Sequence, residues 1–360
     1  MSLDPGGTGR SAAFPAATLT DNDAKRAMLA IVIVSWNVKD LLRRCLVATQ
    51  ASLQAGDLAA EIIVVDNASH DGTPAMLRSE FPEVQLIEAG ANLGFTAGNN
   101  LALRMLLQRP DGGPEFALLL NPDTEPVADA IPRLVAFLQR HPAAIAVGPR
   151  LLYSDGSLQS SRRRFPTPLT MIWESTPWER LWPRNPWARR YHCADRPADR
   201  AQRVGWLVGA ALLIRTSAIR KAGLLDERFF MYSEELEWQW RLQVGNPAAP
   251  PPDRSRRETV EVGSQIWYLP EAVVIHHEGK SSEQVPVDRH RYFQLSRLHL
   301  TRMWYGWHVA AVVRRLIGLG YQYELIIEAI KLALGHKPAL RRQRIATYQQ
   351  VLWALDRFDR

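Results

Sequence analysis

Short apolar runs alternate with amphipathic segments over the first half of the chain. The runs are rich in leucine and β-branched residues and nearly continuous, as in strands that are buried on both faces; they are Leu29–Ser35, Glu61–Val65, Val84–Glu88, Phe116–Leu120 and Ile145–Leu151. The segments that carry apolar residues at helical spacing are Lys39–Leu53, Thr73–Glu80, Thr96–Leu107 and Val127–Arg140. This alternation predicts an α/β fold with a mostly parallel central sheet and helices on both sides.

The second half of the chain has a different pattern. Residues 162–203 are rich in Arg, Trp and Pro and show little periodicity, which predicts long loops and short helices. The Pro- and Arg-rich stretch Gly245–Gly263 is typical of a flexible insertion. The remaining expected elements are a strand over Val204–Arg215, a helix from about Ser233, a strand pair at Ile266–Leu269 and Ala272–His276, and helices from about Val287 to the end.

These patterns divide the chain into three regions. Residues 1–27 are small and polar, and they lack the apolar segment of a secretory signal, so we expect a disordered tail. One α/β domain is expected over residues 28–283, with a first half at 28–153 and a second half at 154–283. A helical extension is expected over 284–360.

Composition narrows the classes of function. Hydrophobic residues make up 46% and charged residues 22%, which excludes a disordered, collagen-like or coiled-coil protein. Two cysteines exclude a disulfide scaffold and fit a reducing compartment. Lys and Arg number 44 against 37 Asp and Glu, and a net charge of +7 suits a phosphorylated substrate, nucleic acid or an anionic membrane surface.

Polar side chains follow the first two predicted strands. The first run ends in Ser35-Trp36-Asn37, and the second ends in Asp66-Asn67-Ala68-Ser69. Ligands of open α/β sheets bind at the carboxyl ends of the strands. There, the Asp66 carboxylate can accept a hydrogen bond from the imide N–H of uracil or thymine. The alternative is that these side chains cap the following turn and helix.

The third and fourth runs also end in candidate ligands. Asn92, Gly94 and Asn99 lie in a glycine- and amide-rich turn whose backbone N–H groups can approach a phosphate or ribose. The turn lacks the dinucleotide and P-loop spacings. The fourth run leads into Asn121-Pro122-Asp123, where a carboxylate can hold a divalent cation together with substrate phosphates. An ordinary turn that ends a strand is the alternative.

Two further clusters lie in the second half. Three acids, Glu234, Glu235 and Glu237, follow Ser233 at a predicted helix start, where they either stabilise the helix dipole or supply a general base. His276-His277 closes a strand and precedes Glu278-Gly279-Lys280-Ser281-Ser282. One histidine can ligate a metal or contact a diphosphate; in isolation, a structural role is the better interpretation.

These segments, in this order, resemble the inverting family 2 glycosyltransferases with a GT-A fold, and bacterial rhamnosyltransferase-like members most of all. The resemblance spans about Ala30 to Ser282 and rests on VSWN, VVDNASHDGT, NLGFTAGNN, LLLNPD, VGWLVGAALLIR, LDERFFMYSEELEW and VIHHEGKSS. It implies that the first half of the α/β domain binds a nucleotide sugar and that the second half carries the acceptor site and the catalytic residues.

The resemblance also implies roles for single residues. Those assigned to the nucleotide sugar are Ser35, Asn37, Asp66, Asn92, Gly94, Asn99, Asn121 and Asp123. Within this set, Ser35, Asn37 and Asp66 would bind the nucleoside, and Asp123 would coordinate Mg²⁺ or Mn²⁺. Glu235 falls at the catalytic carboxylate, and His277 is preferred to His276 beside the metal.

This sequence departs from the family pattern at three places. Asn121 replaces the first carboxylate of the Asp-x-Asp motif, Glu235 replaces the usual Asp, and Gly245–Gly263 is an unusual insertion. The Gln-x-x-Arg-Trp signature of processive synthases is absent, which argues for single sugar additions.

The activity implied is transfer of one sugar, with rhamnose as a candidate, from a dTDP- or UDP-sugar to a hydroxyl of a cell-surface glycan or lipid-linked acceptor. Glu235 would act as the base, the anomeric centre would invert, and metal would assist departure of the diphosphate. The alternatives are a non-catalytic nucleotide-sugar or glycan-binding protein and a sugar nucleotidyltransferase. No nucleic-acid partner is expected.

The location implied is cytoplasmic, with peripheral association at the inner face of the cell membrane as an open question. Residues Leu298–Leu334 combine apolar, aromatic and basic residues. Such a segment either lies on an anionic membrane surface, packs as core, or forms a homodimer contact.

Overall fold

The computed structural model of the protein describes residues 28–175, 182, 185–248, 264–277 and 286–358. The expected tail at 1–27, most of the expected insertion at 245–263 and the segment Glu278–Ser282 lie outside the described residues.

The elements follow the predicted order. The strands are β1 Leu29–Ser35, β2 Ala60–Asp66, β3 Gln85–Glu88, β4 Phe116–Leu120, β5 Thr124–Pro126, β6 Ala144–Leu152, β7 Leu158–Gln159, β8 Arg162–Arg163, β9 Gln202–Val204, β10 Trp206–Leu207, β11 Ala211–Arg215 and β12 Gln265–His276. The helices are α1 Lys39–Ala55, α2 Thr73–Glu80, α3 Gly94–Leu107, α4 Ala130–Arg140, α5 Pro168–Trp173, α6 Pro186–Tyr191, α7 Thr216–Ala222, α8 Glu234–Val244, α9 Pro286–Ala333 and α10 Pro338–Asp356.

A mixed, mostly parallel sheet lies at the centre of the molecule. In the described part of the chain its order is β3-β2-β1-β4-β11-β6-β12-β5, with β7 beside β6 and β9 beside β12. Strands β1 to β4 are parallel, whereas β11 runs antiparallel between β4 and β6. The parallel strands therefore bring their carboxyl ends to one edge of the sheet.

Both faces of the sheet are covered, which explains the continuous apolar runs. In β1, Ile31 and Ile33 pack on one face with residues of α1, α2 and α4. Ala30 and Val32 pack on the other face with residues of α3, α7 and α8. Since neighbouring strand residues point to opposite faces, each position of the strand is buried and apolar.

The sequence-based bounds are accurate in the first half and wrong at two places in the second. The strand expected over Val204–Arg215 is divided into β9, β10 and β11. Its break at Gly205 has a steric cause, because a Cβ there would lie 2.9 Å from the Phe165 nitrogen. The strand pair expected at 266–276 is one strand, β12, with an irregular register against β6 between Leu269 and Val273.

The C-terminal residues are helical, as predicted. Helices α9 and α10 pack against each other and share a core with the second half of the α/β domain. Gly306, with φ of 80°, interrupts α9. Within the described ranges, no helix has both the length and the apolar character needed to cross a membrane.

Candidate active site

The ends of β1 and β2 place Ser35 and Asp66 side by side. The two residues are paired in the parallel register, and both are buried. The Ser69 amide donates to Asp66 Oδ2 at 3.0 Å. Asp66 Oδ1 and Ser35 Oγ are buried and have no hydrogen-bond partner among the described residues. Capping of the turn therefore uses one oxygen of Asp66, and the other is available to a ligand.

Asn37 joins the two loops that follow these strands. Its backbone is left-handed, with φ of 52°. Its amide donates to Ser69 Oγ at 2.9 Å, and its Oδ1 accepts from the His70 amide at 2.7 Å. The side-chain amide of Asn37 thus shapes the rim of the predicted nucleoside site.

The start of α3 is fixed against the loop that precedes α8. Asn92 Oδ1 accepts from the Gly94 amide at 3.0 Å, and Asn67 Nδ2 donates to the Gly94 carbonyl at 3.0 Å. The Phe95 amide donates to the Phe230 carbonyl at 3.0 Å. Gly94 has φ of +78°, and a Cβ there would lie 2.5 Å from the Phe230 oxygen. Glycine is therefore required where the predicted sugar-binding turn meets the loop before Glu234.

Asn99 lies one turn further along α3. It is buried, and its Nδ2 donates to the Phe95 carbonyl at 2.8 Å. This bond stabilises the first turn of α3. The Asn99 side chain therefore supports the predicted sugar-binding turn through the backbone.

Asn121 and Asp123 follow β4 at the same edge of the sheet. The Asn121 amide donates to the Ala210 carbonyl at 2.9 Å, while its Oδ1 is buried without a partner in the described ranges. Asp123 is buried, and its Oδ1 lies 3.4 Å from His276 Nε2. The other ring nitrogen of His276 lies 2.9 Å from Gln159 Oε1. A carboxylate and an oriented imidazole thus converge on one point.

His277 points away from that carboxylate. Its Nδ1 lies 2.7 Å from Ser154 Oγ, and its Nε2 lies 2.6 Å from Glu125 Oε1, which also pairs with Arg44. Adjacent residues of a strand point to opposite faces. The geometry therefore favours His276, and not the preferred His277, as the histidine beside Asp123.

The described residues do not form a complete cation site by themselves. No cluster of three or more His, Cys, Asp or Glu side chains suited to a metal occurs in the part of the chain that the structure describes. Asp123 and His276 fit an ion that takes its other ligands from a bound diphosphate, as Mg²⁺ does with substrate phosphates.

The three acids at the start of α8 have different environments. Glu237 is paired with Arg241 at 2.7 Å and is structural. Glu234 and Glu235 each have one buried carboxylate oxygen without a hydrogen-bond partner among the residues described. Ser233 occupies the N-cap position of α8, where its backbone is left-handed and its side chain makes no cap bond.

Burial raises the pKa of both unpaired acids. The pKa of Glu234 lies well above its ordinary value, first because burial penalises the charged form and second because the Glu235 charge is close. Burial also raises the pKa of Glu235, although backbone N–H groups, Glu234 and Arg163 oppose that rise. The pair therefore favours a single negative charge, located on Glu235.

Glu235 is linked to the Asn121–Asp123 turn through one short loop. A Cβ built on Gly209 would lie 3.4 Å from Glu235 Cβ. The next residue, Ala210, accepts the Asn121 amide. The buried Glu235 carboxylate, the predicted nucleoside site and the predicted cation site thus share one edge of the sheet.

Sequence reasoning gave three residues of this region no role of their own. Asn67 was one of the polar residues after β2, Glu234 was one of three candidate bases, and Arg163 was part of an arginine-rich run. The adjacent acids were a usable signal for Glu234, because two buried carboxylates cannot both ionise cheaply. Nothing in the local pattern indicated that Arg163 would lie near Glu235.

Comparison with known proteins identifies glycosyltransferases by two routes, a family model and curated relatives. The family described as Glycosyl transferase family 2 matches residues 30–207. An N-acetylglucosaminyl-diphospho-decaprenol L-rhamnosyltransferase of Mycobacterium tuberculosis is 31% identical over 276 residues, which cover 72% of this chain and 79% of that protein. A low-salt glycan biosynthesis hexosyltransferase of Haloferax volcanii is 29% identical over 204 residues, covering 57% of this chain and 56% of that protein.

Solved structures of similar shape include two complexes with a nucleotide or a nucleotide sugar. A mannosyltransferase from Pyrobaculum calidifontis in complex with GDP-Man and Mn²⁺ has a TM-score of 0.48 and 14% identity, covering 93% of this chain and 88% of that chain. The S. aureus protein TarS, residues 1–349 in complex with UDP, has a TM-score of 0.43 and 13% identity, covering 92% of this chain and 82% of that chain.

Proposed function

This chain belongs to glycosyl transferase family 2 and is a glycosyltransferase of the GT-A fold, and from this premise we propose its reaction. The proposed reaction moves one sugar from a uridine or thymidine diphosphate sugar to a hydroxyl of a lipid-linked or cell-surface glycan acceptor, with inversion at the anomeric carbon. L-rhamnose is the proposed sugar and a lipid-linked glycan the proposed acceptor, because the mycobacterial relative is named for both.

A continuous series of contacts carries the proposal. Asn67 binds the Gly94 turn, and that turn binds the Phe230 loop before α8. Glu235 lies beside Gly209, where an added Cβ would be 3.4 Å from Glu235 Cβ, and the carbonyl of the next residue, Ala210, accepts the Asn121 amide. A nucleoside pocket, a diphosphate site and a buried carboxylate are the three parts that sugar transfer from a nucleotide donor needs.

Glu235 is the proposed base. Its carboxylate takes the proton of the acceptor hydroxyl, whose oxygen attacks the anomeric carbon as the bond to the diphosphate breaks on the opposite side. Glu234, whose pKa is raised by burial and by the nearby Glu235 charge, holds the proton of the pair and stabilises the Glu235 carboxylate. A general base that is partly desolvated has a pKa nearer to neutrality, which suits proton transfer at physiological pH.

Asp123 and His276 are the proposed ligands of Mg²⁺ or Mn²⁺. Asn121, in the same turn as Asp123, has a buried Oδ1 without a partner among the described residues. The bound cation would neutralise the charge that develops on the departing diphosphate. Among this chain's own residues, Asp123 and His276 hold the diphosphate end of the donor in place, and Gly94 allows the backbone to approach it.

Asp66 and Ser35 are the proposed base-reading residues. Asp66 Oδ1 is a buried acceptor and matches the imide N–H that uracil and thymine present. Cytosine presents an acceptor nitrogen at the same ring position, so this observation favours UDP- or dTDP-sugars over CDP-sugars.

The proposed place of action is the cytoplasmic face of the cell membrane, because a lipid-linked acceptor confines the reaction to a membrane surface. The net charge of +7 favours anionic lipid. A homodimer is a second proposal for the same helical extension.

The nucleotide assignment is tested with Asp66→Asn. Asparagine still accepts from the Ser69 amide but can present an N–H to the imide N–H of the base. Calorimetry is expected to show UDP affinity reduced by about 10–100-fold, the cost of losing a hydrogen bond to a charged group, while CDP affinity does not fall. Equal loss for both nucleotides would contradict the assignment.

The transfer reaction is tested with Glu235→Gln. Release of UDP or dTDP from nucleotide sugars in the presence of acceptor is expected to fall by about 10²–10⁴-fold, the usual effect of removing a general base. UDP affinity stays near the wild-type value. Unchanged turnover in this variant would remove Glu235 from the mechanism, and a wild type without turnover on any donor would support the binding-protein alternative.

A further inference from the structure

The second half of α9 has an apolar outer face. Six large apolar residues there are between 48% and 78% exposed. They follow one another at intervals of three, four or seven residues, which places them on one side of the helix. We name them the outer stripe: Val312, Leu319, Tyr323, Ile326, Ile330 and Leu334.

This stripe is not the core-facing side of α9. The inner side carries Val313 and Ile317, which are buried in one cluster with Val351 and Leu355 of α10. An amphipathic helix of a globular protein needs only one apolar face. A second, exposed face that runs about 33 Å from residue 312 to 334 indicates a binding surface.

The charge around the stripe is strongly positive. From Trp307 to Arg344 the chain carries seven Lys and Arg against two Glu. One of the two, Glu328, is buried and pairs with Arg341 at 2.8 Å, with Arg344 at 3.3 Å and with the half-exposed Lys331 at 3.8 Å. Arg315 and Lys331 directly adjoin the stripe at its two ends. Basic residues beside an apolar helix face are typical of helices that lie in the interface of an anionic bilayer.

A second copy of the chain fits this surface less well. Two copies would bring two positively charged hairpins together, and their repulsion opposes association. A helix pair is usually specified by opposite charges that flank the apolar seam. Here the flanking positions carry Arg315, Gln322 and Ala329 on one side and Gly320 and Ile327 on the other.

The N-terminal part of α9 packs against the loop that precedes Glu234 and Glu235. Ser296 Oγ donates to the Met231 carbonyl at 2.7 Å, in the loop that leads to Glu234 and Glu235. The Tyr292 ring is stacked on Phe230, with ring centroids 4.3 Å apart. Docking of the outer stripe would thus orient the catalytic loop relative to the surface.

We propose that the outer stripe inserts into the interface of an anionic lipid bilayer, with Arg315 and Lys331 contacting lipid phosphates. This inference rests on the proposed function, since it supplies the surface on which a lipid-linked acceptor is presented.

The test is co-sedimentation of the full chain with vesicles of phosphatidylcholine, with and without phosphatidylglycerol. The wild type is expected to bind the anionic vesicles, and binding weakens as salt is raised. The double variant Ile326→Glu/Ile330→Glu is expected to lose about tenfold or more of this binding. Val47→Glu is the matched control, because Val47 is 55% exposed on α1 and is expected to bind as the wild type does.

Failure of this inference is distinguishable from failure of the proposed function. UDP affinity and hydrolysis of the sugar nucleotide, both measured without vesicles, are expected to be unchanged in the double variant. If the double variant is unfolded by circular dichroism, Ile330→Glu alone replaces it. Absence of wild-type binding to anionic vesicles overturns the proposal, as does equal binding by the stripe variants. A dimer that light scattering detects in the wild type and not in the variant, without vesicle binding, would assign the stripe to a second copy.

Discussion

Glu234 and Glu235 share an environment with too few hydrogen-bond donors for two negative charges. Both side chains have a buried oxygen without a partner among the described residues, and the Glu235 charge helps to raise the pKa of Glu234. Arg163 on β8 lowers the pKa of Glu235. Burial raises the pKa of Tyr191 on α6, and the charge of Glu235 adds to that rise. The two carboxylates therefore share one proton, which lies on Glu234, while Glu235 carries the negative charge.

This arrangement predicts a stability that falls as pH rises. The pKa of Glu234 is raised in the folded state, so the folded chain binds more protons than the unfolded chain above pH 4.5. The stabilising effect is complete below that value and is lost as pH rises through the raised pKa. Glu234→Gln removes the dependence, and its Tm is expected to exceed the wild type by about 2–4 °C at alkaline pH. The difference should vanish near the ordinary pKa of glutamate.

The control for this prediction is Glu237→Gln. It breaks the buried pair with Arg241, so Tm should fall at alkaline pH. Thermal unfolding followed by circular dichroism at several pH values measures both variants. A Glu234→Gln gain that is independent of pH would show that packing, and not protonation, is responsible.

His276 and His277 provide a second contrast at the residue scale. His276 Nε2 lies 3.4 Å from Asp123 Oδ1, whereas both ring nitrogens of His277 are engaged by other side chains. Binding of Mn²⁺ in the presence of UDP, followed by electron paramagnetic resonance of the free ion, is expected to weaken about 10–100-fold in His276→Ala. His277→Ala should bind like the wild type. The reverse order would restore His277 as the ligand.

At the scale of elements, the turn before α3 depends on a single glycine. Gly94→Ala places a methyl group 2.5 Å from the Phe230 carbonyl at φ of +78°. Gly90 has φ of +72° with nothing within 4 Å of its Cβ position, so Gly90→Ala carries backbone strain alone. We expect Gly90→Ala to cost about 1 kcal/mol of stability and Gly94→Ala to cost more.

The same two variants separate stability from binding. Gly94→Ala should also lose affinity for UDP-sugars, because the Phe230 loop must move, whereas Gly90→Ala should keep it. Urea unfolding and calorimetry measure these two effects. Similar donor affinity in both variants would show that the contact between Gly94 and Phe230 serves folding only.

The sequence-based prediction succeeded where local pattern determines the element. Strands β1 and β4 and helix α2 begin and end at the predicted residues, because each is a continuous apolar run or a helix opened by Thr73-Pro74. The prediction failed where contacts between residues far apart in the sequence determine the element. Gly205 ends β9 because its backbone approaches Phe165, and no local pattern reports that approach.

The choice between the two histidines stays a prediction, because the local pattern does not determine it. Which one faces Asp123 depends on the register of β12. That register shifts between Leu269 and Val273, and a shift of one residue exchanges the two faces of a strand. The family resemblance identified the histidine pair but could not identify the face. By contrast, Asp66 and Asp123 follow apolar strands directly, and the order of parallel strands was enough to bring them to one edge.

At the scale of the whole molecule, the helical extension and the α/β domain are joined through buried polar contacts. Arg297 of α9 is buried and donates to the Met171 carbonyl at 2.8 Å and to the Glu174 carbonyl at 3.0 Å. Its neighbour Ser296 donates to the Met231 carbonyl in the loop before Glu234. The extension therefore supports the site from outside the sheet and is expected to unfold together with it.

Arg297→Met tests this coupling. The variant keeps an unbranched apolar stem but leaves two buried carbonyls without their donor, at about 1–3 kcal/mol each. We expect one cooperative urea transition at a lower midpoint. We also expect kcat to fall more than UDP affinity does, because a shift of α9 at Arg297 displaces its neighbour Ser296, which holds the loop before Glu234, and leaves the predicted nucleoside site at β1 and β2 in place. The exposed residue Arg342 on α10 supplies the control Arg342→Met, which should match the wild type. Two separate transitions, with only one shifted by Arg297→Met, would show that the extension folds independently and that its contacts with the catalytic loop do not affect turnover.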